Sequence, residues 1–133
     1  MISSATVPLT ETNAVLSASG TLSITDADSA ASFVAGTLTG TYGSVALQTN
    51  GQWVYTASSA HNEFVMLSST YSDVFTVTSA DGTTSTIAVN ILGTNDAAVL
   101  STATVNLTET NATLSASGNL TVSDVDSTAA FNA

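Results

Sequence analysis

The segment Ala5 to Ala35, ATVPLTETNAVLSASGTLSITDADSAASFVA, returns as Ala103 to Ala133, ATVNLTETNATLSASGNLTVSDVDSTAAFNA, at a constant offset of 98 with 21 of 31 positions identical. No shared Ser/Thr bias produces such a match, so the folding unit is one repeat of 98 residues. The 133 residues therefore divide into a complete unit, 1–95, and a linker with the first third of the next, 96–133. The division points to an excerpt from a tandem array.

Inside the unit the apolar residues recur with period two, the signature of half-buried strands. Leu16–Thr25, Ser44–Gln48, Gln52–Thr56, Val74–Ser79 and Thr84–Ile91 each alternate apolar with small polar residues. Asn50-Gly51 and Asp81-Gly82 fall between pairs of these runs, where a hairpin turn needs positive φ. The 20 Ser and 24 Thr, a third of the chain, suit strands and turns better than helices. About seven short strands per unit predict an all-β, immunoglobulin-like sandwich, with Trp53, Tyr55, Phe75 and Val77 in its core. A helical turn fits only Ser58–Ser69.

Charge narrows the function. The chain has ten acids, no Lys, no Arg and one His, a formal net charge of -10. Nothing in it can grip a phosphate backbone or an anionic lipid surface, which argues against nucleic-acid and direct membrane binding. Disorder is the other home of unpaired acidity, but 44% hydrophobic residues and a mean hydropathy of +0.35 argue for a folded chain. Cysteine is absent, excluding disulfides and thiolate metal sites. No apolar run approaches 18 residues, and no signal-peptide pattern opens the chain. A soluble cytosolic protein or a piece of a longer exported chain fits that pattern. An enzyme is the least expected class: a Ser-His-Asp relay would have to use His61, the only imidazole, and no nucleophile-elbow pattern accompanies it.

The sandwich order also places the acids. If the first strand descends, Glu11 lies at the bottom of the unit, Asp26-Ala27-Asp28 and Asp81 at the top, and Gly93-Thr94-Asn95-Asp96 at the bottom again. Glu11, Asp96 and the second unit's Asp124 and Asp126 then converge at the junction. Like charges 4–6 Å apart repel by about 1 kcal/mol in water and by several at lower effective dielectric. With no basic side chain present, protons or a bound cation must relieve that repulsion. Carboxylates accompanied by amide and carbonyl oxygens are the donor set of a hard cation such as Ca2+. The bland alternative is solvated charge at loop tips.

As a set, Gly93-Thr94-Asn95-Asp96-Ala97-Ala98, Leu9-Thr10-Glu11-Thr12, Asp26-Ala27-Asp28, Gly40-Thr41-Tyr42-Gly43, Gly51-Gln52-Trp53-Val54-Tyr55 and Asp73–Thr83 resemble the VCBS repeats of large bacterial adhesins. The resemblance implies cadherin-like modules in long arrays on type I secreted, RTX-type adhesins, at the cell surface, acting in attachment and biofilm formation. Neighbouring repeats of the same chain are then the partners. A more distant likeness to cadherins proper implies calcium ligation by Glu11, by Asn95 and Asp96 of the linker, and by Asp124 and Asp126. By the same rule Asp26, Asp28 and Asp81 serve the preceding junction, and Glu109 serves the one after the second unit. Two departures reduce the expected ions to one or two per junction: Gly93 stands where cadherin linkers begin with Asp, and the acidic pair before the sixth strand is missing around Ser68 and Ser69. Asp73 compensates for that pair only in part, and Ala98 replaces the family's usual Pro.

The resulting expectation is a calcium-stiffened spacer. Glycan or ice binding is the alternative, through Thr37 with Thr39, Thr76 with Thr78, or stacking on Trp53 and Tyr55. The two strands of the partial unit cannot close a sandwich alone, which leaves open disorder or pairing with another molecule's partial unit as a swapped dimer.

Overall fold

The computed structural model describes residues 1–28, 31–60 and 69–132. They form two compact units, Met1–Asn95 and Asp96–Ala133.

Among the described residues the first unit has seven strands in two sheets, an immunoglobulin-like sandwich. They are β1 (Ala5–Thr10), β2 (Ser17–Thr21), β3 (Gly36–Thr39), β4 (Gly43–Leu47), β5 (Gln52–Ala57), β6 (Thr70–Thr78) and β7 (Thr84–Leu92). One sheet has the order β1-β7-β6 and the other β2-β5-β4-β3. Strand β1 runs parallel to β7, with Ala5 opposite Ile87 and Thr10 opposite Leu92, so both strands end at the same pole. Burial alternates along β5 and β7, as the period-two pattern requires. Trp53, Tyr55, Phe75 and Val77 are all buried, together with Leu16, Leu22, Phe33 and the inward residues of β7. Tyr55 and Phe75 meet at a centroid distance of 6.0 Å with rings tilted by 59°.

Both hairpins close on glycine. Gly51 and Gly82 have φ of 84° and 88°. At the first turn the Asn50 Oδ1 accepts the Gln52 N–H at 3.0 Å, and at the second the Asp81 carboxylate accepts the Thr83 N–H at 2.9 Å.

One strand differs from expectation. The run Leu16–Thr25 is not a single strand, because β5 begins at Gln52, opposite Thr21. Beyond that point the chain changes partners: the Leu22 N–H donates to the Gly51 carbonyl at 2.9 Å, and Ile24 pairs with Ile2. The expected helical turn over Ser58–Ser69 falls largely on 61–68, outside the described residues, as do His61 and Glu63.

In the second unit β8 (Val99–Leu100) pairs with β9 (Val122–Ser123). This pairing sets Leu100 opposite Val122, which is the Ile2–Ile24 bridge moved on by 98 residues.

Candidate metal centre

Glu11 follows the last residue of β1 and is only 3% exposed. Its position is fixed by the parallel ladder: its N–H donates to the Leu92 carbonyl at 2.8 Å, continuing the β1–β7 pairing by one step. The Thr94 hydroxyl donates to the Glu11 Oε2, while the buried Oε1 has no hydrogen-bond partner. An ionised carboxylate taken out of water needs a counter-charge or a full set of donors. The chain contains no Lys or Arg to supply the former. Asn95, expected beside it as a linker ligand, is exposed.

In the second unit Asp124-Val125-Asp126 forms a tight turn around its own carboxylate. Asp124 Oδ1 accepts the Asp126 and Ser127 N–H groups, each at 3.2 Å, and Oδ2 accepts the Ser127 hydroxyl at 2.7 Å. The Asp126 Oδ2 accepts the Asp96 N–H at 2.7 Å, tying the start of the unit to the turn. Asp124, the acceptor of Asp126, Ser127 and two amides, is held down to about 2. Asp126 is pushed up by the Asp124 carboxyl beside it and by the negative charges of Asp124 and Asp96, against the opposing effect of the Asp96 N–H. Asp126 Oδ1 is buried and has no hydrogen-bond partner. Two acids in one turn, one held down and the other pushed up, form a pair that a divalent cation can bind.

The opposite pole of the first unit gathers Asp26 and Asp81. Asp26 Oδ1 accepts the Asp28 N–H at 2.9 Å, a turn of the same type as the one at Asp124. Asp81 accepts the Ser79 hydroxyl, the Thr83 N–H and the Thr83 hydroxyl. Ser79 and then the Thr83 amide hold Asp81 down to about 2. Asp28 is exposed. Glu109, the counterpart of Glu11, is exposed on a stretch without strand structure, having no strand beside it of the kind β7 provides.

The donors are carboxylate, hydroxyl and carbonyl oxygens, the type that suits calcium. Among the described residues, no three His, Cys, Asp or Glu side chains gather as metal ligands. A bound ion would complete its six to eight ligands with carbonyls, hydroxyls and water.

Asp73, expected from the sequence to compensate in part for the missing acidic pair, is instead turned to a polar site inside the unit, a role that sequence reasoning did not give it. Asp73 on β6 is 2% exposed and accepts the Thr41 N–H at 2.6 Å, the Tyr42 N–H at 3.0 Å and the Tyr55 hydroxyl at 3.2 Å. It staples the turn between β3 and β4. The site explains Gly40-Thr41-Tyr42-Gly43: a Cβ on Gly40 would lie 2.6 Å from the Asp73 Cγ, and one on Gly43 2.5 Å from the Thr56 carbonyl oxygen. The signal was present as the motif itself, whose partner lies more than 30 residues away.

Burial, then the adjacent Asp73 charge and hydrogen bond, push the Tyr55 phenol well above its ordinary range. Below pH about 10 folded and unfolded chains both keep that proton, and the contribution to stability is complete. Above it the unfolded chain releases the proton while the fold retains it, so stability should fall as pH rises. Urea midpoints between pH about 8 and 11 should decline, and Tyr55→Phe should flatten the decline.

Trp53 and Tyr55 are buried and so are not placed to stack on a sugar. Thr37 and Thr39 are exposed on β3 and Thr76 is exposed on β6, in different sheets.

A family model described as a bacterial cadherin-like domain matches residues 2–93. No curated protein matches the chain.

Proposed function

Since the chain belongs to the family of bacterial cadherin-like domains, an adhesion-type structural module, we propose that it is a calcium-stiffened spacer of an extracellular bacterial adhesin. The parent is a type I secreted, RTX-type protein built of VCBS repeats, and the module holds a distal adhesive region away from the cell during surface attachment and biofilm growth. Its partners are the neighbouring repeats, and its role is mechanical, without catalysis.

The observation that carries this reading is the buried, unpartnered Oε1 of Glu11 in a chain without a single Lys or Arg. Asp126 Oδ1 repeats the condition in the second unit. Glu11, with Asn95, would provide ligands from the first unit, and Asp96, Asp124 and Asp126 from the second; Asp26, Asp28 and Asp81 would serve the preceding junction and Glu109 the following one. Bound calcium supplies the positive charge that these carboxylates lack. Millimolar extracellular calcium fills even weak sites of this kind, whereas the far lower cytosolic level leaves the array flexible during export.

Calorimetric titration with calcium is the test. Saturable binding in the range of about 10⁻⁴–10⁻³ M is expected, weakened at least tenfold by Glu11→Gln and by Asp124→Asn with Asp126→Asn. Binding unchanged by all of these substitutions would remove the proposed ligands.

A further inference from the structure

Ten of the 31 aligned positions differ between the two copies of the repeated segment, and four of these changes have one chemical result. Pro8, Val15, Thr21 and Ser23 are replaced by Asn106, Thr113, Asn119 and Thr121, which completes Asn106-Leu107-Thr108, Asn111-Ala112-Thr113 and Asn119-Leu120-Thr121. Each is an Asn-X-Thr sequence with X other than Pro, the acceptor pattern for a sugar on an asparagine amide. None of the five asparagines in residues 1–95 has Ser or Thr two positions on.

The first unit shows where these positions lie in a closed sandwich. The counterparts of the three asparagines, Pro8, Asn13 and Thr21, are exposed there, and so are those of the three threonines, Thr10, Val15 and Ser23. In extended chain, residues two apart share a face and the one between them turns the other way. Leu22, between Thr21 and Ser23, is accordingly buried, and Leu9, between Pro8 and Thr10, packs against the core. An acceptor pattern of period two laid on such a chain turns its amide and its hydroxyl outward together. All six residues are exposed in the second unit as well.

Pro8 lies on β1 and Thr21 ends β2. Among the described residues both are edge strands, in the orders β1-β7-β6 and β2-β5-β4-β3. An open edge invites pairing with another chain, and proline is one of the residues that prevents it. Asn106 gives up the protection that Pro8 provides at the same position of the first unit. A sugar on Asn106 restores it, and one on Asn119 guards the edge that corresponds to β2.

We propose that Asn106, Asn111 and Asn119 are modification sites, each carrying a neutral hexose joined through its side-chain amide. A neutral sugar adds no repulsion to a chain already at a formal net charge of -10. The donor is a glycosyl diphosphate of the cell that makes the chain. Its bond between the anomeric carbon and the diphosphate oxygen breaks as that carbon bonds to the asparagine Nδ2, the amide releases one proton, and the diphosphate leaves with the electron pair.

Mass spectrometry of the chain isolated from the cells that produce it is the test, and it is independent of calcium binding. Cleavage before Asp96 and before Asp124 releases residues 96–123 with all three sites, and cleavage after Glu109 separates Asn106 from the other two. The fragment should carry three hexose steps of added mass, one on each asparagine. Asn106→Gln with Asn111→Gln and Asn119→Gln should lose all of it. Thr121→Ala should lose the step on Asn119 while Thr121→Ser retains it. A fragment of unmodified mass would overturn the proposal, and so would added mass that persists in the triple variant, since the sugar would then sit on a hydroxyl.

Discussion

Replacing Asp73 by Ala should destabilise the first unit by about 3–5 kcal/mol, a large share of the 5–15 kcal/mol typical of a whole domain. The substitution leaves the Thr41 and Tyr42 amides and the Tyr55 hydroxyl without their shared acceptor. Tyr55 is fully buried, so its hydroxyl has no water to turn to. Each buried donor left unsatisfied costs about 1–3 kcal/mol, and bonds to a charged acceptor lie at the upper end. Asp73→Asn, which keeps the volume and one carbonyl acceptor, should cost less than Asp73→Ala. Urea midpoints for the two variants check both the magnitude and the order; equal and small losses would mean that the carboxylate is not what holds the β3–β4 turn.

Gly51→Ala should be nearly as damaging, and Gly82→Ala much less so, although the two glycines share almost the same backbone conformation, with φ of 84° and 88°. The positive φ alone costs an L-residue about 1–2 kcal/mol. At Gly82 nothing lies within 4 Å of the added methyl group, so the cost should stop there. At Gly51 the Cβ would sit 2.3 Å from the Leu22 carbonyl oxygen and 2.8 Å from the Phe33 ring, and the hairpin tip would have to move away from the core. A loss of about 3 kcal/mol or more is expected at Gly51 and about 1 kcal/mol at Gly82. Thermal unfolding of the two variants side by side separates conformational strain from steric clash.

These two sites show what could be read from sequence. The Asn50-Gly51 and Asp81-Gly82 turns were legible because their chemistry is local, and the alternation around Trp53, Tyr55, Phe75 and Val77 identified the core for the same reason. The early end of β2 was not legible, because it depends on where β5 begins, some 30 residues away. The structural role of Asp73 was not legible, because its partners Thr41 and Tyr42 lie 32 and 31 residues from it in sequence. Glu11 could be placed at the linker's pole from strand order, but its hydroxyl partner Thr94 is 83 residues distant, and its burial follows from the parallel β1–β7 pairing. Equally, identity between the two repeats did not foretell their different exposure. Leu22 and Leu120 are the same residue in the same local sequence, and only the strands around them decide which one is buried.

The central claim is mechanical, and small-angle scattering of the full chain in calcium and in chelator tests it most directly. If the junction carboxylates are clamped by calcium, the ion should narrow the distribution of particle dimensions and shift it toward an extended form. Chelator should broaden that distribution, and Glu11→Gln should resemble the chelated chain even with calcium present. Scattering curves that superimpose with and without calcium would contradict the account.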